Sequence, residues 1–367
     1  MTNVNTKFTL ANARRAIRKH NATALKRIAL VESRPYAQEA PNSALAIGPD
    51  GMSEIYLANE SVFTQQYFDE PLTTYAVGWK DPNNIDATLE FFAPSTPASR
   101  RFTYKEWTNI EEFLSEGTND DLRAIGAEFP TVKFTGKETH ARTENRGLRI
   151  RVDLDEVASP DSPLAGGIAA YQQRAVAKIM RRLARNSVRR AVSLLSAASV
   201  NTAKTWDVTA GKDPDQDVRT EIVTVGTSAS GIRPNRVGYG DTSWVKRLLS
   251  HRAQNIAGGY ASAGLTMEQV AAFLGVDTVY VSKERFSLLG GALTEIVNNL
   301  VLMFYAASGA DIEDPSNVKR FVSPTDAGGP IRVYVQQVTS KLVDITVEKY
   351  ELIKITSTLG IRQFTVS

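Results

Sequence analysis

Between Pro163 and Ala198 runs PLAGGIAAYQQRAVAKIMRRLARNSVRRAVSLLSAA, a stretch with no acidic residue and no interior proline. It is the strongest helix signal in the chain, and Pro163 suits a first turn, where its missing N–H costs nothing. At about 100° per residue, Arg174, Lys178, Arg181, Arg182, Arg185 and Arg189 fall inside an arc of roughly 100°. Ile168, Val176, Ile179, Met180 and Leu183 take the other side. The segment therefore reads as one long helix with an apolar back and a continuous cationic front.

Most solvated helices mix charge signs to gain i,i+4 pairs. Six like charges on one stripe repel each other and need either a polyanion or an acidic patch on a neighbouring subunit. The stripe has no interleaved aromatics, and no base-reading signature accompanies it, so contact with nucleic acid would be sequence-independent.

The remaining composition sets outer bounds. With 367 residues, 42% hydrophobic and 23% charged, and a formal net charge of +3, the chain can build two or three substructures with real cores. It has no cysteine, and His20, His140 and His251 lie far apart in sequence. Disulfide frameworks, thiolate metal sites and histidine metal centres are thus disfavoured, and no cofactor is expected. The longest apolar run, Leu300 to Ala307, is too short for a bilayer, so no membrane partner is expected.

Residues 9–30 read as a basic amphipathic helix. Leu10, Ala13, Ile17, Ala24, Leu25 and Ile28 form its apolar side, and Arg14, Arg15, Arg18, Lys19, Lys26 and Arg27 crowd the rest. The segment superficially resembles an organellar transit peptide. Residues 33–100 are weakly patterned and punctuated by prolines, as in an extended arm laid over other surfaces. Strand signals follow at 101–107, 131–137 and 148–154. The first two flank an acidic excursion holding Glu111, Glu112, Glu116, Asp120 and Asp121, which suggests a projecting β-arm. After the long helix the pattern turns mixed: a strand-like EIVTVG at 221–226, then a glycine motif and a helix from Thr242. A helix at 266–275 has Thr266 as N-cap, Gln269 in capping-box position and Gly275 as its stop. Further strands are expected at VDTVYVS, IRVYVQQV (331–338), VDITVEKY (343–350), LIKITS (352–357) and IRQFTV (361–366). The fold class is α+β.

Catalytic signals are weak. Gly238-Tyr239-Gly240-Asp241-Thr242-Ser243 has two glycines of a dinucleotide fingerprint, but Ser243 replaces the third, and Asp241 puts a carboxylate where phosphate would sit. The glycines are expected to permit a tight strand-to-helix turn, with Asp241 or Thr242 as cap. The run DPDQD (213–217) starts like a calcium loop but has Val218 and Thr224 at the glycine and glutamate positions. It reads as a solvated acidic turn. GTSASG (226–231) misses the nucleophile elbow at Ser230, and neither His251 nor His140 is spaced as its partner. Asp153 and Asp155 share the polar side of a strand as surface charge. No catalytic residue is assigned, and a nucleotide-dependent enzyme around Gly238–Ser243 is the competing class. A cellular sequence-independent DNA binder is another.

The order of parts resembles the major capsid proteins of tailed bacteriophages, with the Hong Kong 97-type fold. FFAPSTPASRRFTYKEWTNIEEF is similar to that family's entry into a long β-hairpin, the E-loop, and THARTENRGLRIRVDLDEV to its exit. The segment 163–198 matches the spine helix. TWDVTAGKDPDQDVRTEI, RPNRVGYGDTSWVKRLLSHRAQNI and LTMEQVAAFLGVDTVYVS are similar to the axial A-domain succession, including an aspartate-proline helix start. The resemblance implies an N-terminal basic helix and extended arm over 1–100, an E-loop with adjoining strands over 101–162 and a spine helix of the P-domain over 163–200. An A-domain would cover 201–325, and C-terminal strands returning to the P-domain 326–367. It implies a non-enzymatic subunit forming hexamers and pentamers of an icosahedral virion shell, assembled in the host cytoplasm around double-stranded DNA. Portal, scaffold and decoration proteins are the further partners implied. The cationic stripe would face the DNA, and the acidic segment 111–121 would overlap a neighbouring subunit. An encapsulin-like nanocompartment, which shares the fold but encloses protein, is the alternative.

Overall fold

The computed structural model describes residues 67–81, 84–107, 121–123, 128–129, 137–155, 167–209, 211–227, 232–253, 262–288, 291–307, 314–325 and 329–367. Its first elements are α1 (Glu70–Gly78), α2 (Ile85–Phe92), β1 (Ser95–Pro97), β2 (Arg101–Glu106), β3 (Lys137–Arg142), β4 (Glu144–Asp153) and the long α3 (Gly167–Ala198). Next come β5 (Val200–Lys204), α4 (Pro214–Thr227), β6 (Arg236–Gly240), α5 (Asp241–Ala253), α6 (Met267–Leu274) and β7 (Thr278–Ser282). The last are β8 (Arg285–Phe286), β9 (Thr294–Glu295), β10 (Leu300–Phe304), β11 (Val318–Ser323), β12 (Ile331–Gln337), β13 (Leu342–Ile355) and β14 (Arg362–Val366).

In the first sheet β13 is the central strand. Its N-terminal part pairs antiparallel with β4 on one side and β12 on the other, and Tyr350–Ile355 pairs with β11. β1 runs parallel to β11 at the edge. Strict alternation sorts the faces. Val152, Val333, Val343, Ile345 and Val347 turn toward α3, while Arg149, Arg151, Asp344 and Glu348 turn away from it. The free edge of β12 is closed by the entering chain, through Asp69 N to Val333 O at 3.2 Å and Val335 N to Tyr67 O at 2.9 Å. Such pairing blunts an edge that could otherwise recruit another strand.

The second sheet has the order β5-β14-β10-β6-β7. It is apolar on both faces, which explains why β10 reads LVLMF without alternation. One face packs on α2 and the C-terminal half of α3 through Leu302 and Phe304. The other packs on α4 and α6 through Val301, Met303, Val237 and Tyr239.

A single helix therefore serves two cores. In α3, Ala175, Val176, Ile179 and Leu183 belong to the first-sheet core. Ala184, Val188, Ala191, Val192 and Leu195 belong to the second. At 100° per residue, the mean buried direction swings by roughly 150° between the two groups. The helix ends at Ala198 as the sequence pattern requires; residues 163–166 lie outside the described set.

Two expectations need correction. EIVTVG is not a strand: 214–227 is helical, because Val218, Ile222 and Val225 recur at helical spacing and are fully buried. Asp213 accepts from Gln216 N at 3.0 Å, and Pro214 fills the first position. Its β-branched residues suggested the wrong period. The strands expected at 343–350 and 352–357 are one strand, β13, running through Glu351. β11 extends the ladder of β13 in the first sheet, while β14 inserts between β5 and β10 in the second.

The glycine motif has a packing cause rather than a turn cause. A Cβ on Gly240 would lie 1.8 Å from Val297 O, and one on Gly238 would lie 2.7 Å from the Phe92 ring. Neither contact can be relieved by a small shift, because one partner is backbone and the other a fully buried ring. Gly240→Ala is expected to lose about 3 kcal/mol or more, or to prevent folding. Chemical denaturation checks this, with Gly78→Ala, which meets open space, as the control.

Candidate functional site

The N-terminus of α5, where a bound phosphate would sit, already holds a carboxylate. Glu295 accepts from Thr242 N at 3.3 Å and from Thr242 Oγ1 at 2.8 Å. Arg285 reaches Asp241 at 3.2 Å and Glu295 at 3.7 Å, so two carboxylates against one arginine leave the position negative and unsuited to a phosphate. Ser243 Oγ donates to a backbone carbonyl, with Gly240 O and Leu300 O each 2.9 Å away. The acidic run at 213–217 is not a solvated turn. Asp215 is buried and receives Arg247 through two 2.6 Å bonds, with His251 Nε2 at 3.2 Å. Burial pushes its carboxyl up, but the bonds from His251 and Arg247 outweigh that and hold it below its ordinary value. Asp217 accepts from Lys204 and from the Trp206 indole N–H, at 2.9 and 3.0 Å. These acids hold α4 to its neighbours. Among the described residues no group of three or more His, Asp or Glu could hold a metal.

His140 lies on β3 and meets the Thr103 hydroxyl at 2.8 Å. Asp155 leaves the strand and pairs with Lys341 at 2.7 Å. Ser230 lies outside the described residues.

The cationic face of α3 divides into two sets. Arg181 pairs with Asp81 at 2.9 Å, whose side chain is fully buried, and Arg185 pairs with Glu284 at 3.3 Å. Arg189 stacks on the Phe286 ring at 3.9 Å. These three are intramolecular fastenings, anchoring α3 to the segment before α2 and to the chain entering β8. Arg174, Lys178 and Arg182 are exposed. Lys178 and Arg182 make no ion pair with any described residue. The N-terminal cations Arg14, Arg15, Arg18, Lys19, Lys26 and Arg27 lie outside the described residues, as do Glu111, Glu112, Glu116 and Asp120; Asp121 is exposed.

A buried ionic network sits where the buried side of α3 swings. Glu351 on β13 accepts from Lys349, Arg190 and Ser187, each at 2.6 Å. Arg320 of β11 approaches it at 4.0 Å and binds Glu90 of α2 at 2.8 Å. Burial alone would raise the Glu351 carboxyl, but the Lys349 ammonium, Ser187 and Arg320 bring it down to about 2. Burial lowers Lys349 from its ordinary value, against the pull of Glu351. The sequence carried a signal for this network: positions 343, 345, 347, 349 and 351 share the buried face of one strand, and the last two are charged.

Glu351→Gln leaves Lys349 and Arg190 without their anion and is expected to cost about 3 kcal/mol at neutral pH. Because the folded carboxyl titrates below an ordinary glutamate, its contribution is complete above about pH 4.3. It fades as pH falls toward about 2. The stability gap between variant and parent, from denaturant melts, should narrow across that window.

No family model matches this sequence, and no curated protein matches it. Solved structures do. A phage-related protein from Bordetella bronchiseptica superposes with a TM-score of 0.58 at 16% identity, covering 81% of this chain and 96% of that one. The capsid of cyanophage P-SCSP1u gives 0.47 at 10% identity, over 76% and 87%. A capsid protein of an Escherichia coli CFT073 prophage gives 0.44 at 10%, over 82% and 99%. The chain shares its fold with the phage-related protein.

Proposed function

We propose that this chain is a major capsid protein, a non-enzymatic shell subunit that assembles as hexamers and pentamers around double-stranded DNA. The likeness of fold to the phage-related protein, across nearly all of that chain, carries the reading. In this reading α3 is the spine helix, the first sheet is the core of the P-domain, the second sheet is the core of the A-domain, and β2–β3 is the root of the E-loop. Repetition supplies what one contact cannot: modest interfaces, multiplied around each subunit, close a shell.

The division of cations on α3 refines the DNA contact. Arg181 and Arg185 are committed to Asp81 and Glu284, so the charge presented to packaged phosphates comes chiefly from Lys178 and Arg182. Such contacts are electrostatic and sequence-independent, and they weaken with salt.

Substituting Lys178 and Arg182 by glutamine should leave subunit stability and shell assembly intact while loosening DNA. The logarithmic salt slope for DNA binding by the protein should fall by roughly 2 units, about 0.9 per phosphate contact. Arg181→Gln with Arg185→Gln should do the reverse, costing about 2 kcal/mol of subunit stability through the orphaned Asp81. Nuclease protection, salt titration and thermal melts on both variants check this. Wild-type shells holding no nuclease-protected DNA would favour the nanocompartment reading instead.

A further inference from the structure

On the outward face of the β2–β3 hairpin, three cross-strand pairs follow one another: Lys105 with Glu138, Thr103 with His140, and Arg101 with Arg142. The first pairs opposite charges, and the second is joined by a hydrogen bond of 2.8 Å. The third sets two arginines directly opposite each other. Like charges in that position destabilise a hairpin. Both side chains are exposed, and neither has an ion pair or side-chain hydrogen bond to any described residue. Nearby, Arg100 is held over the Tyr350 ring at 4.2 Å, which adds a third positive charge. The opposite face of the hairpin is committed to the fold, with Phe102, Tyr104 and Ala141 packed on Phe321 and Leu352.

Folding alone does not account for this pair. An acid at either position would give the compensated arrangement that Lys105 and Glu138 already show one end away. Two planar guanidinium forks facing the same side suit oxyanions, which they bind bidentately. The chain itself supplies carboxylates: Glu111, Glu112, Glu116, Asp120 and Asp121 lie between the two strands in sequence, with no lysine or arginine among residues 108–121.

We infer that Arg101 and Arg142 form a carboxylate receptor for a second copy of this chain, occupied by the acidic segment 111–121 of that copy. The inference rests on the shell reading above and names one of its contacts. A chain that carries both the acidic segment and the arginine pair can repeat head to tail from one copy to the next. Each copy then gives one contact and receives one, as a ring requires.

The test is charge complementation in assembly of the full chain. Arg101→Gln with Arg142→Gln should raise the protein concentration needed for shells by about tenfold, as expected for losing two exposed ion pairs. The isolated subunit should melt at the same temperature or higher, because a repulsion has been removed. Arg101→Glu with Arg142→Glu, and separately Glu111→Lys with Glu112→Lys and Glu116→Lys, should each assemble poorly, while a mixture of the two should recover. Should the glutamine variant assemble at the wild-type concentration, the receptor does not exist. Recovery only when both sets of changes sit in one chain would place the contact within a subunit and overturn the inference. Glutamine-variant shells that form normally but lose protected DNA would assign the arginines to nucleic acid and also overturn it. If wild-type protein forms no shells, the shell reading falls, and this inference with it.

Discussion

The structure depends on how one helix changes the side it buries. α3 begins with its apolar back against the first sheet and ends against the second, and the swing between them passes through Ser187 and Arg190. A purely apolar junction would let the helix roll, since hydrophobic contact is non-directional. Glu351 removes that freedom. It gathers Lys349 from its own strand, Ser187 and Arg190 from the helix, and Arg320 from β11, which itself holds Glu90 of α2. Buried ion pairs are poor sources of net stability, but removing one partner is costly, so they define a geometry. Here they fix the rotation of α3 relative to both sheets.

The cations of the same helix divide along that logic. Those at 181, 185 and 189 bind groups remote in sequence and hold the second half of the helix to α2's approach and to β8. Those at 174, 178 and 182 lie further toward solvent. A stripe that reads as uniform in sequence thus divides into a set that fastens the fold and a set turned to solvent. Helical periodicity shows that the six share a face. It does not show that Asp81 and Glu284, about a hundred residues away on either side, arrive at the same surface.

What was legible in the sequence follows from local physics. The end of α3 at Ala198, the capping box of Thr266 and Gln269, and the left-handed Gly275 that stops α6 are set by neighbours within a few residues. α4 was not legible, because its Val and Ile content argues for strand while the spacing of Val218, Ile222 and Val225 argues for helix, and tertiary burial decides. The sequence pattern divides β13 at the charged Glu351, yet Glu351 is the member of that strand on which the junction relies. Gly238 and Gly240 were identified as necessary, but their reason, the approach of Phe92 and of the Val297 carbonyl, lies in segments far off in sequence.

The measurement that tests the account most directly is electron microscopy of the purified full-length protein, with reconstruction of any particles formed. The account predicts closed shells, or rings of five and six, in which the exposed cations at the N-terminal half of α3 line the interior. A monodisperse monomer or dimer that never assembles, or shells with that face of α3 turned outward, would contradict it.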